Sequence, residues 1–84
     1  MRGLSGKRAI ITGGASGIGR AICVRLGMEG CQVGILDLNG TGAEETADRI
    51  RGSGGHAKAL ACDISDYAEV KMAVGEIENA LGPT

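Results

Sequence analysis

The 84-residue sequence has no tryptophan, no phenylalanine and a single tyrosine, Tyr67. A core organised around large rings is therefore excluded. It has to be assembled from Ile, Leu, Val, Ala and Met, which pack as thin layers and suit helices lying close against a sheet. Excess charge of either sign is also lacking: the formal net charge is −1, so no basic field draws in nucleic acid or an anionic membrane surface. No apolar run has the length of a signal-peptide core or of a bilayer span. A cytoplasmic protein without membrane or nucleic-acid partners is the default expectation. Cysteine is sparse as well. Cys23, Cys31 and Cys62 are odd in number and widely spaced, which fits neither a disulfide framework nor a zinc pattern. They are expected to be reduced, small core residues, and no metal site is expected. A chain of this length makes one small domain, which buries only about 60–65 % of its unfolded surface.

Glycine, in contrast, is abundant, with 16 residues. Four of them fall in one stretch, "ITGGASGIGR" (residues 11–20), directly after an apolar, β-branched run at residues 7–12. That run reads as a buried strand. Residues 18–29 then read as a helix with Ile18, Ile22, Leu26 and Met28 on its apolar face, stopped at Gly30. "CQVGIL" reads as a second strand ending at Asp37. A second helix follows, opened by a capping box of Thr41 and Glu44, with Ala43, Ala47 and Ile50 on one face. "HAKALAC" is a third, weaker strand that ends at Asp63. The last helix is capped by Ser65 or Asp66 and carries Val70, Val74, Ile77 and Leu81 as an amphipathic stripe, stopped at Gly82-Pro83.

Alternation of this kind implies parallel strands joined by right-handed crossovers. The expected fold class is α/β: a Rossmann-type, doubly wound parallel sheet, of which this is the first β-α-β-α-β-α half with strand order 3-2-1. That order leaves the first strand at an edge, so the 84 residues alone are expected to be unstable or to associate.

Strand, glycine-rich turn and helix together aim a helix N-terminus at an anion, typically a phosphate. Gly13 would allow the tight exit from the strand, Gly17 the close approach of a pyrophosphate, and Gly19 close packing of helix on strand. Ser16 can add its hydroxyl. The spacing is T-G-x-x-x-G-x-G, not the common G-x-G-x-x-G, and no Lys-Ser or Lys-Thr completes a Walker loop. Taken alone the turn could also be a structural hairpin or loop. Asp37, 18 residues after Gly19, lies near the offset of an acid that grips an adenosine ribose, although a turn or cap role would also place an Asp there. Such a carboxylate repels a 2′-phosphate. Neither Ser16 nor the following Leu38, Asn39 and Gly40 offers a cation, so NAD is preferred over NADP.

These residues resemble the classical short-chain dehydrogenase/reductases. "TGGASGIG" matches that family's cofactor loop, "DLN" at Asp37 its NAD-preferring second-strand ending, and "CDIS" (residues 62–65) its third-strand ending. The extended branch, which includes sugar epimerases, is a poorer match because it has two residues between the first glycines. The resemblance implies that Gly13, Ser16, Gly17, Ile18, Gly19, Asp37, Leu38, Asp63 and Ile64 contact the cofactor, the last two holding adenine. It further implies an NAD(H)-dependent enzyme that interconverts a small-molecule alcohol and a ketone, and a homo-oligomer, dimer or tetramer, when full length. Residues 1–84 would be the N-terminal NAD-binding half of a single domain. The family's Ser-Tyr-Lys catalytic set maps to nothing in these residues, so no catalytic residue is assigned and this chain alone should be inactive. A non-catalytic NAD-binding module is the alternative. Tyr67 and Lys71 have the family's Y-x-x-x-K spacing, with Ser53 upstream. They are read instead as a packed first-turn residue and a flanking charge, at the adenine end of the cofactor.

Overall fold

A computed structural model describes residues 7–81. Three strands alternate with three helices: β1 (Arg8–Thr12), α1 (Gly17–Met28), β2 (Gln32–Asp37), α2 (Gly40–Gly52), β3 (His56–Ala61) and α3 (Tyr67–Leu81). The strands form one parallel sheet in the order β1-β2-β3, the expected 3-2-1 arrangement of a Rossmann-type half. Ile11 pairs with Ile35 and Ile35 with Ala59, so the carboxyl ends of all three strands emerge on one edge.

The central strand β2 is buried on both faces, as a parallel sheet requires. Val33 and Ile35 face α1 and α2 and join Cys23, Cys31, Ala43, Ala47, Ile50, Ala57 and Ala59 in one cluster. Leu36 faces the other way, where Cys62, Ala73 and Ile77 form a second cluster beneath α3, flanked by Val70, Val74 and Leu81. The α3 stripe thus packs as the sequence implies. All three cysteines are buried, and none is in a disulfide among the described residues; burial pushes the Cys23 thiol above its ordinary pKa. Gly82-Pro83, the expected stop of the last helix, lies outside the described residues.

Three local expectations are corrected. Of the apolar face expected for α1, Leu26 packs against the core cluster, but Ile18, Ile22 and Met28 are exposed, and Cys23 and Gly27 are the buried positions. The reason is proximity. A Cβ on Gly27 would sit 2.7 Å from Ile50 Cγ2, so α1 and α2 approach through small residues and leave no room for an isoleucine. The α2 cap is Asn39, whose Oδ1 accepts from Gly42 N–H at 2.9 Å, and not Thr41. Tyr67, the first residue of α3, is exposed instead of packed on the stripe. Asp66 does cap α3, its Oδ1 accepting from Glu69 N–H at 3.2 Å.

Ile50 is the side chain on which both Gly27 and Gly55 close. Ile50→Ala should therefore destabilise the protein by about 2–5 kcal/mol, read from the urea midpoint. A loss below about 1 kcal/mol would mean that this contact is not the core of the α1–α2 layer.

Candidate functional site

The glycine-rich turn leaves β1 at the carboxyl edge of the sheet, where Gly13 N–H still donates to Leu36 C=O at 2.9 Å. The chain then turns sharply. Gly13 and Gly17 have φ of 78° and 59°, the left-handed region that a side chain disfavours. Gly19 is required for a different reason: its Cβ would lie 1.9 Å from the Gly13 carbonyl oxygen, so α1 rests directly on the backbone of the turn.

The start of α1 differs from the other two helix starts. Ser16 occupies the N-cap position with extended backbone, but its side chain makes no capping bond, whereas Asn39 and Asp66 cap the other two. Among the described residues the N–H groups of Ser16, Gly17 and Ile18 have no partner. Unpaired N–H groups together with the positive end of the helix dipole make an anion-binding position.

Asp37, the last residue of β2, joins this turn to the next strand. Its Oδ2 accepts from Ala15 N–H at 3.2 Å and its Oδ1 from Asn39 N–H at 2.9 Å. Beside it opens a cleft of about 130 Å³ lined by Gly13, Leu36, Asp37, Leu38, Cys62 and Ile64. The rim carries two large apolar side chains in the open, Leu38 at 73 % and Ile64 at 56 % exposure. The Cys62 thiol is pushed up in pKa, first by burial and then by the neighbouring Glu69, Asp63 and Asp66 carboxylates, so it stays neutral and serves as packing.

Of the residues singled out in the sequence, the structure brings Gly13, Asp37, Leu38 and Ile64 onto this cleft. Ser16, Gly17, Ile18 and Gly19 form the adjoining turn and helix start. Asp63 precedes Ile64 but does not line the cleft; its Oδ1 accepts from Ser65 N–H at 2.9 Å and from Ser65 Oγ–H at 2.6 Å. Its own N–H donates to Glu69 Oε1 at 2.9 Å. The two Ser65 bonds, side chain first, hold its carboxyl below the ordinary carboxylate range against a smaller opposing effect of burial. Leu36 and Cys62 were not foreseen at the site, although each directly precedes one of the two acids, Asp37 and Asp63, that were. Arg20 and Thr46, which grip the turn from behind, carry no motif that would have found them.

Tyr67, Lys71 and Ser53 are not brought together. Ser53 follows α2 where β3 begins, and Tyr67 follows the other end of that six-residue strand, roughly 20 Å away at about 3.3 Å per residue. Among the described residues no group of three or more His, Cys, Asp or Glu side chains could hold a metal ion. No described helix is long and apolar enough to cross a membrane.

Residues 7–84 match the family model described as short chain dehydrogenase. D-threitol dehydrogenase of Mycolicibacterium smegmatis is 39 % identical over 79 residues, 94 % of this chain and 30 % of that protein. A hydroxysteroid dehydrogenase from Escherichia coli superposes with a TM-score of 0.89 at 37 % identity, over 94 % of this chain and 34 % of that one. A short chain dehydrogenase/reductase from Burkholderia phymatum, solved in complex with NAD, superposes with a TM-score of 0.89 at 29 % identity, over 98 % and 29 % of the two chains. The chain spans about three-tenths of the length of the curated relatives it matches.

The Asp63–Ser65 turn has a pH signature. A carboxyl held below its unfolded-state pKa contributes stability that is fully present above about pH 4 and is lost as pH falls through the lower folded value. Ser65→Ala should raise the Asp63 midpoint in a carboxyl-carbon NMR titration toward the ordinary range. An unmoved midpoint would show that the Ser65 hydroxyl bond does not form.

Proposed function

The chain belongs to the short-chain dehydrogenase family, and from that premise we propose that it carries the NAD-binding part of an oxidoreductase that interconverts an alcohol and a carbonyl by hydride transfer. The observation that carries the reading is the Ala15 N–H to Asp37 bond. It sets an uncapped helix start and a ribose-height carboxylate side by side at the carboxyl edge of a parallel sheet, where ligands of such folds bind.

The residues present suit the cofactor. Ser16, Gly17 and Ile18 offer N–H donors, and Ser16 a hydroxyl, to the pyrophosphate, with Gly13 and Gly19 shaping the turn around it. Each Asp37 oxygen has a second lone pair to accept a ribose hydroxyl. Leu38 and Ile64, on the rim of the cleft that Leu36 and Cys62 also line, would hold the adenine, and Asp63 braces the turn that carries Ile64. When bound, NAD supplies the nicotinamide that accepts or returns hydride. What these residues do is hold and orient it. None of them is assigned to proton transfer. In the full-length protein the substrate is a small-molecule alcohol or ketone, and the active form is a dimer or tetramer.

The same carboxylate supports NAD over NADP. Two unit charges about 4 Å apart repel by roughly 4 kcal/mol at an effective dielectric of 20. No cleft-lining residue is cationic. Even half that repulsion gives more than a tenfold preference, since about 1.4 kcal/mol is a factor of ten. In the full-length protein NADH should bind at least about tenfold tighter than NADPH by fluorescence titration, and Asp37→Ala should bring the ratio to within about threefold. Equal affinities in the unaltered protein would contradict the assignment of Asp37 to the ribose.

A further inference from the structure

Arg20 sits in the first turn of α1, directly after Gly19, and its side chain is folded back behind the glycine-rich turn. Its Nε–H donates to Thr46 Oγ1 at 2.9 Å. Its Nη2 donates to the Ala15 carbonyl, to the Gly42 carbonyl at 3.1 Å and to Glu45 Oε1 at 3.2 Å. Thr46 is wholly buried. A helical threonine commonly bonds the carbonyl four residues back, here Gly42 at 3.2 Å. The shorter contact of this hydroxyl, 2.7 Å, goes instead to the Gly14 carbonyl across the interface.

Two consecutive peptide groups of the turn are fixed by these bonds. The Gly14–Ala15 peptide is held at both ends, its C=O by Thr46 and its N–H by Asp37. The C=O of the Ala15–Ser16 peptide is held by Arg20. A trans peptide directs its C=O and N–H oppositely, and no cis peptide is present among the described residues. Capture of the Ala15 carbonyl by Arg20 therefore turns the Ser16 N–H the other way, and that N–H has no partner among the described residues. The three residues between Gly13 and Gly17 bring extra carbonyl oxygens to a place where an anion is to bind. Any carbonyl facing the anion would repel it.

We propose that Arg20 and Thr46 are positioning residues for the diphosphate. They hold the Gly14 and Ala15 carbonyls away from the bound anion and aim the Ser16 N–H at it, without touching the cofactor themselves. The proposal rests on the NAD-binding reading above and adds two residues to it. The guanidinium is engaged by Glu45 and by carbonyl oxygens, so its contribution is orientation and not a counter-charge to phosphate.

The test is equilibrium binding of NAD, ADP and adenosine to the full-length protein and to Thr46→Val, Thr46→Ser and Arg20→Met. Thr46→Val and Arg20→Met should each weaken NAD and ADP by about tenfold while adenosine stays within about twofold, and Thr46→Ser should bind all three nearly as the unaltered protein does. If Thr46→Val does not fold, Arg20→Lys replaces it. Lysine keeps the charge at this partly exposed position but cannot make the forked contacts, and it should show the same selective loss of ADP. Unchanged ADP binding, or equal losses of ADP and adenosine, overturns the proposal and leaves the cofactor reading standing. An unaltered protein that binds neither NAD nor ADP removes the cofactor reading, and this proposal with it.

Discussion

The hydrogen bond from Ala15 N–H to the Asp37 carboxylate is the constraint on which the candidate site depends. The glycine-rich turn and the end of β2 are separate pieces of chain, and this bond fixes their relative position at 3.2 Å. It forms because the parallel register carries Thr12 alongside Leu36. The next N–H, that of Gly13, extends the ladder by one bond, so the turn begins level with Asp37. A register slip would move the apolar residues of β2 to the wrong faces and would also part the carboxylate from the helix start. Core packing and site geometry are therefore set by the same pairing.

The shortage of aromatics now has a structural meaning. The sheet carries α1 and α2 on one face and α3 on the other, and each layer is thin because the contacts are made by Ala, Cys, Gly and a few isoleucines. Gly34 illustrates this: a Cβ there would lie 2.6 Å from Ile77 Cγ2, so α3 lies nearly on the backbone of β2. Close approach brings the backbone amides of the turn near the Asp37 carboxylate. Gly14 shows the same economy of space, since a Cβ would strike Ile35 and Cys23.

Much of this was legible in the residues, because strong local signals and the global fold agree. The strand runs, the glycine turn, the Asp66 cap and the α3 stripe all coincide with the elements observed. Three of the four residues expected on the α1 face are exposed, for a physical reason. Hydrophobicity marks Ile18, Ile22 and Met28 as buried, but the depth to which a helix can approach is set by its smallest residues, here Cys23 and Gly27. The α2 cap was displaced because Asn39 sits one residue before the helix and reaches Gly42 N–H, whereas Thr41 lies inside it. Arg20 and Thr46 were invisible for another reason. Their partners are each other, Glu45 and backbone carbonyls up to 32 residues distant, and no spacing rule in a linear sequence encodes such contacts.

The central claim, that the uncapped start of α1 receives the cofactor's diphosphate beside Asp37, is tested most directly by amide NMR of the full-length protein titrated with NAD. The N–H resonances of Ser16, Gly17 and Ile18 should move downfield together as new hydrogen bonds form, with Ala15 and Leu38 perturbed at the same ligand concentration. Saturable binding that leaves those amides unmoved, or that perturbs only the outer groove between α1 and α2 around Arg25, Met28 and Arg49, would contradict it.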